Sequence, residues 1–504
     1  MSEEFDVVVI GAGPAGEVAA GRLGEAGLSV AIVEEHLIGG ECSYYACMPS
    51  KALLRPAELL AEAERVPGAR EAVTGALDVD AVLARRDEVI HDLDDSVQLP
   101  WLEQRNVTVV RGRGRLDGER RVRVGERKLE GRAVIIATGS GAATPPIPGL
   151  RETAHWTNRE ATTAQAVPAR LVILGGGVVG VEMAQAWSSL GSRVTLIEML
   201  PRLLPREEPF ASAQVAEALR ERGVDVRTGA RAAAVRRDGS EVVVTIEDGE
   251  DVRGDELLVA VGRRPLTGDL GLESVGLEAG RPIEVDDSMR AIGFDWLYAV
   301  GDVNSRVLLT HMGKYQARVA AEQILGNDVR VSEPAHGSLS PRVVFSDPQV
   351  AAVGHTLESG RAGGAARTCG RPADLRQRRR QLLRPQRHRH GAACDRRGSA
   401  GARRCDLHRR GGGGVRARGD DRDRRRRDDR RAVACGAGVP DPQRSVAAAA
   451  RSLRGRGQRA RAARARSVQI CSARANSLTA RGPFRSRPCW KASPSRRRSS
   501  SCSV

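Results

Sequence analysis

Residues 5–23 read FDVVVIGAGPAGEVAAGRL. Val7–Ile10 is a short run of β-branched residues, which suits a strand buried on both faces of a parallel sheet. Gly11, Gly13 and Gly16 follow as G-x-G-x-x-G, and a helical pattern of Ala, Val and Leu comes next. Glycines at that spacing allow a tight turn and close approach of backbone to a pyrophosphate at a helix N-terminus. The next apolar run, LSVAIVE (28–34), ends in Glu34, 18 residues after Gly16. A carboxylate there can accept hydrogen bonds from a ribose diol. A lone glycine motif says little. Strand, loop, helix, strand and acid in that order predict a dinucleotide-binding α/β unit.

The pattern occurs a second time. RLVILGGGVVGVEMAQAW (170–187) carries Gly175, Gly177 and Gly180, and SRVTLIE (192–198) ends in Glu198, again 18 residues on. A second unit implies a second dinucleotide. An acid at Glu198 favours the free 2′-hydroxyl of NADH and repels a 2′-phosphate. Arg202 and Arg206 lie nearby and are the feature that points toward NADPH.

Between the two units lies GGECSYYACMPSK (39–51), with Cys42 and Cys47 five residues apart. Three readings are open: metal ligands, a structural disulfide, or a redox pair. Metal sites usually offer C-x-x-C and a second ligand pair, and neither is nearby. A five-residue offset is not bridged on a regular helix, although a disulfide can close across a distorted first turn. Lys51, one turn later, could lower a thiolate pKa.

The segment resembles the redox-active C-x-x-x-x-C-x-P-S-K of the class I pyridine nucleotide-disulfide oxidoreductases, a family that includes dihydrolipoyl dehydrogenase, glutathione reductase and mercuric reductase. The resemblance implies that Cys42 is the interchange thiol, that Cys47 faces the flavin, and that Lys51 sits at the flavin edge. Ser-Tyr-Tyr-Ala between the cysteines is bulkier than the family's usual filling. Further motifs resemble the family in order. Gly114 in VVRGRGRL matches backbone near the adenine end of FAD. Thr138, Gly139 and Ser140 in VIIATGS match its ATG turn, and PPIPG (145–149) matches the crossover to the next domain. Glu182 resembles the glutamate that pairs with the motif lysine and is grouped with the NAD loop. Gly262 in AVGRRP marks the return. Asp302 in YAVGDV would bond the ribitol chain, and Leu309, Thr310 and His311 would lie against the flavin. His311 taken alone reads as structural rather than catalytic. FAD and NAD(H) are the implied cofactors, with no metal.

The net charge of +17 is unevenly placed. From Arg361 onward the chain holds 40 arginines, one lysine (Lys491), nine aspartates and no glutamate. The preceding 360 residues therefore carry about −15. The basic part is rich in Gly, Ala and Ser, with Phe484 and Trp490 as its only aromatics. Such a composition predicts disorder. The family's His-Pro-Thr element, whose His crosses a dimer interface as general acid/base, has no counterpart, and His388, His390 and His408 stand in arginine-rich context without a family match. Shifting the reading frame by one base lets Ala432–Gly455 spell LWHAVPAYPTRSEVWLRLLEAYG, with Tyr before the Pro-Thr. Asp374–Arg384 and Gly401–Arg410 admit strand-like segments in the same frame. A frameshift between about Gly354 and Arg371 is the expectation that follows; an RNA-binding basic tail is the alternative.

The predicted fold is α/β, with two Rossmann-like dinucleotide-binding domains and a largely missing α+β dimerisation domain. FAD-binding residues span 1–150 and 268–330, with an NAD(H)-binding domain over 151–267. A dimerisation remnant covers 331–356 and a disordered tail 357–504. No secretory signal or membrane span is legible, so a cytoplasmic enzyme with a small-molecule or lipoyl-type disulfide substrate is expected. The implied homodimer would have lost its interface domain. Impaired, dye-reducing flavoprotein activity and a flavin module with a nucleic-acid-binding tail are the competing functions.

Overall fold

A computed structural model of the chain describes residues 2–332, 337–362, 367–369 and 394–396. The chain opens with β1 (Glu3–Ile10), α1 (Pro14–Glu25) and β2 (Val30–Glu34). Val7 to Ile10 are at most 3% exposed, as a central parallel strand requires. Pro14 is the first helical residue, where its missing N–H costs nothing. The cysteine segment forms α2 (Gly40–Tyr44) and α3 (Cys47–Glu64). Next come α4 (Val79–Val89), α5 (Leu99–Glu103) and the strands β3 (Val107–Arg111), β4 (Gly114–Leu116), β5 (Arg121–Val124) and β6 (Arg127–Ile136). They join one sheet in the order β3-β2-β1-β6-β5-β4, parallel through β3, β2, β1 and β6 and antiparallel beyond.

The chain then leaves this sheet. β7 (Ser140–Ala142) and α6 (Asn158–Thr163) lead to β8 (Arg170–Leu174), α7 (Val178–Ser189), β9 (Arg193–Glu198), α8 (Pro209–Glu221) and β10 (Asp225–Thr228). An antiparallel meander, β11 (Ala232–Asp238), β12 (Glu241–Ile246) and β13 (Asp251–Gly254), precedes β14 (Glu256–Val259). The second parallel sheet runs β10-β9-β8-β14. β15 (Arg263–Pro265) returns antiparallel beside β7, so the outgoing and incoming crossings brace each other. β16 (Leu297–Ala299) then pairs parallel with β6, back in the first sheet. The α/β expectation, with one glycine-loop unit inserted within the other, is what the topology shows.

The crossing also rests on a residue no motif marked. Arg86 on α4 is fully buried and donates to the carbonyls of Thr162 (2.7 Å) and Ala164 (3.0 Å) at the end of α6. Its charge is met by Asp87 at 2.6 Å.

After α9 (Thr310–Ile324), the hairpin β17 (Arg342–Val344) and β18 (Val350–Ala352) packs Val344 into the core of the second unit. The boundary expected at 356 is corrected by α10 (Leu357–Ala362), which starts where the tail was to begin. Thr356 accepts from the Ser359 amide at 3.1 Å, and Glu208 accepts from the Leu357 amide at 2.7 Å, so the first turn is capped from both sides. Arg367–Cys369 and Cys394–Arg396 also pair antiparallel. The remaining calls on 357–504, including the frameshift, the basic tail and His388, His390 and His408, lie outside the described residues.

Candidate functional site

The two glycine loops are built alike. Gly11 has φ +100° and Gly175 φ +106°, and a Cβ on either would stand 2.6 and 2.5 Å from the carbonyls of Ala137 and Ala260. A Cβ on Gly16 or Gly180 would stand 1.9 Å from the carbonyl of Gly11 or Gly175. Those four glycines are demanded by the protein itself. Gly13 and Gly177 are not: each is a helix N-cap with ordinary negative φ, and a Cβ there meets nothing within 4 Å. The open space lies at the amide end of α1 and of α7, where an anion is stabilised by the helix dipole. The donors and the vacated Cβ volume fit a dinucleotide pyrophosphate in both units.

Glu34 and Glu198 do more than the ribose acceptance read from sequence. Glu34 accepts from the amides of Ala12 (2.6 Å) and His36 (2.8 Å). Glu198 accepts from Gly176 (2.6 Å) and Leu200 (2.7 Å). Each carboxylate thus braces its loop while offering further lone pairs to a ligand hydroxyl. Arg202, which pointed toward NADPH, donates to the carbonyls of Glu207 (2.7 Å) and Pro205 (2.8 Å). Arg206 is exposed.

The cysteines sit at a break between helices. Helix α2 ends at Tyr44, Ala46 has non-helical φ/ψ, and Cys47 is the first residue of α3. Both cysteines are free and partly buried. Cys47 is held down to about 6, first by the hydrogen bond it accepts from Cys42, then by Thr310 and the Lys51 charge. Cys42 is pushed far up, because ionising it would remove that same bond and burial opposes a second charge. Thr310 Oγ1 lies 3.4 Å from Cys47 Sγ. Lys51 Nζ is 2.8 Å from Glu182, which is 3% exposed. The signs fix the titration. A thiolate on Cys47 forms as pH rises through about 6, and Cys42 keeps its proton above that. The reduced protein is expected to show thiolate absorbance near 240 nm equal to one thiolate per pair between about pH 7 and 9, where two unperturbed thiols would each titrate near 8.5.

A family profile described as pyridine nucleotide-disulphide oxidoreductase matches residues 5–323. The chain belongs to this family. It is similar to dihydrolipoyl dehydrogenase 3 of Pseudomonas aeruginosa, 36% identical over 369 residues, 70% of this chain and 78% of that protein. Mercuric reductase of Staphylococcus aureus is 30% identical, over 72% of this chain and 66% of that protein. Among solved structures, the HOCl-induced flavoprotein disulfide reductase RclA of Escherichia coli superposes with a TM-score of 0.65 at 28% identity, covering 77% of this chain and 86% of that one. LpdA of Mycobacterium tuberculosis gives 0.65 at 27%, covering 75% and 84%. The cofactors of this oxidoreductase are FAD and NAD(H).

In this oxidoreductase the other expected residues lie in both units and at the crossing between them. Ser140 donates to Asp302 at 2.6 Å, and burial raises the Asp302 pKa. Thr138 donates to the Leu266 carbonyl at 2.9 Å, and Gly139 adopts φ +72°. Gly114 lies over Ile10 and Val33, with a Cβ 3.0 Å from each. Leu309 caps α9. His311 contacts the Pro341 carbonyl at 2.8 Å and its pKa is lowered by burial, which supports the structural reading. Gly262 accepts from the Ala143 amide at 3.0 Å, joining the two crossings. Glu182, carried on the helix of the second glycine loop, meets Lys51 as the resemblance implies: one oxygen binds Lys51 and the other accepts from the Phe345 amide at 3.0 Å.

Sequence reading missed the polar set behind Cys42. Glu41 meets Arg159 at 2.5 Å and Asn158 at 2.8 Å, and Arg263 reaches Ser140, Asn158 and Glu41. Glu41, Ser140 and Arg263 lay in quoted motifs, but Asn158 and Arg159 did not, and no motif linked them. Glu17, in the first turn of α1, was missed as well. Burial pushes it up to about 7, against the Lys314 charge and with help from Glu34. A raised carboxyl pKa favours the folded state at low pH, and that contribution is lost as pH rises through about 7. Glu17→Gln is therefore expected to stabilise the protein by about 1–2 kcal/mol at pH 8 and by almost nothing at pH 4.5, read from melting at the two pH values.

Proposed function

We propose that this chain is an NADH-dependent flavoprotein whose reaction is electron exchange with a lipoyl-type disulfide through Cys42 and Cys47, and that it works in the cytoplasm. The carrying observation is the Cys42–Cys47 pair at the break before α3, with Thr310 3.4 Å from Cys47 and the Lys51–Glu182 pair one turn on, in a chain with two pyrophosphate cradles. Residues 1–150 and 268–330 hold FAD in this reading, through Gly11, Gly13, Gly16 and Glu34 at the pyrophosphate and ribose, and through Thr138 to Ser140 and Asp302 beyond. Residues 151–267 hold NAD(H) through Gly175, Gly177, Gly180 and Glu198, with Gly262 at the return. FAD, when bound, supplies the two-electron relay between nicotinamide and the cysteine pair.

The chain's own groups then handle the sulfur chemistry. The Cys42 proton passes along the Cys42–Cys47 hydrogen bond, and the Cys42 thiolate attacks one substrate sulfur. The substrate S–S bond breaks and the first thiolate leaves, taking the proton held on Cys47. Cys47 attacks Sγ of Cys42, the mixed disulfide breaks, and the second thiolate leaves and takes a proton from solvent. Two electrons have moved from the protein dithiol to the substrate, and a Cys42–Cys47 disulfide remains. Lys51 offsets the Cys47 charge throughout. The test is anaerobic: NADH added to the oxidised, FAD-loaded chain is expected to generate two thiols per chain by a chromogenic disulfide assay. Cys47→Ser protein should yield none. The same thiol count before and after NADH would refute the assignment.

A further inference from the structure

We propose that Phe345, from the hairpin at the start of the C-terminal segment, is a positioning residue of the redox site: its ring and amide hold the Lys51–Glu182 pair in the place from which Lys51 stabilises the Cys47 thiolate. The inference rests on the reading of Cys47 as the ionised thiol given above. Lys51 Nζ lies 4.5 Å from the centroid of the Phe345 ring and 2.8 Å from Glu182 Oε2. The ammonium is therefore flanked by a carboxylate and by the negative face of an aromatic ring. The Phe345 amide donates to Glu182 Oε1 at 3.0 Å, which fixes the carboxylate with its other oxygen toward Lys51. One residue thus contacts both partners of the pair.

Its place is itself fixed by ties on either side of it. Asp347 is 8% exposed and is paired with Arg65, the C-cap of α3, and, at 2.7 Å, with Arg222 at the end of α8. The Asp347 amide donates to Gln185 of α7 at 2.7 Å. Val344, on the other side of Phe345, is 2% exposed in the core. The segment that sequence assigned to a dimerisation remnant is thus one wall of the cysteine site. Lys51 keeps 36% of its side chain exposed even so, and with the ring removed water would reach the remaining face. Screening would then weaken its action on Cys47.

The groups facing Cys47 are Cys42 from α2, Lys51 from its own helix, Glu182 from α7 and Thr310 from α9; Lys314, also on α9, acts on Cys42. Cys42 and Thr310 stabilise the thiolate by hydrogen bonding, Lys51 by its charge, and Glu182 opposes it. Only Lys51 and Glu182 are held by Phe345, so their balance is what its removal disturbs.

The experiment is the pH dependence of iodoacetamide alkylation at Cys47 in the reduced full-length chain, followed by peptide mapping. Phe345→Ala is expected to raise the midpoint by about half a unit or more, the size of a partly buried cation–ring contact. Phe345→Tyr keeps the ring and should restore the wild-type midpoint. Phe345→Leu keeps bulk without an aromatic face and should fall between them, and it serves if the alanine variant does not fold. Lys51→Met sets the upper limit of the shift. A wild-type midpoint in both Phe345→Ala and Phe345→Leu, with Lys51→Met shifted, would overturn the role of Phe345 alone. An unshifted Lys51→Met midpoint would overturn both this role and the reading of Lys51 beneath it.

Discussion

Replacing Gly177 by glutamate is expected to cut NADH-driven dye reduction by roughly 100-fold or more while leaving the FAD content of the protein unchanged. The substitution is mild for the fold. Gly177 has φ −75°, and a Cβ there meets nothing within 4 Å. A carboxylate at the start of α7 also complements the helix dipole, so folding is not opposed. For the ligand the change is severe: the new side chain fills the pyrophosphate volume and brings like charge to it. The loss should fall on KM for NADH, with the melting temperature preserved. Gly13→Glu is the mirror case and should lose FAD instead. An unchanged KM in Gly177→Glu would remove the second cradle from the mechanism. Gly180→Val would make a poor substitute, because its Cβ would stand 1.9 Å from the Gly175 carbonyl and any loss could be a folding loss.

The second large effect is a split between two activities of the unaltered chain. NADH-driven reduction of an artificial dye is expected to proceed, and reduction of lipoamide to run about 100-fold or more below that of a chain recoded by one base between the codons of Gly354 and Arg371. Dye reduction draws on the cofactor cradles alone. Disulfide turnover needs the Cys42 proton removed and returned, and Cys42 holds that proton tightly. Among the described residues, His311 is the histidine on the helix facing the pair, and it is bound to the Pro341 carbonyl with its pKa lowered by burial. A positioned acid/base is worth roughly 10²–10⁴ in rate. Equal lipoamide rates in the two chains would sink both the frameshift expectation and the need for that element.

The regions most legible in sequence were those where backbone geometry dictates residue type. Gly11 and Gly16 are required by carbonyls within 2.6 Å of their Cβ positions, so the loop can be read without any structure. Cys42, Cys47 and Lys51 were legible because spacing along one segment sets their proximity. Less legible were contacts made by side chains from distant segments. Arg86 is a charged residue in a polar helix pattern, and only the fold reveals that it is fully buried against the end of α6. Glu41, Asn158 and Arg159 converge across more than a hundred residues of chain. No periodicity marks such a meeting.

The sequence by itself determined the α/β class and the order of the two glycine units, which follow from local constraints: a positive φ and a missing Cβ. The reading of Cys42 and Cys47 as a redox pair came from the resemblance of their segment to the family motif, since the spacing of the sulfurs alone left other readings open. The tertiary structure decided the opposite pKa shifts of the two cysteines and the place of Phe345. Those depend on electrostatics and packing between elements brought together only by folding, where burial strengthens each charge and hydrogen bond.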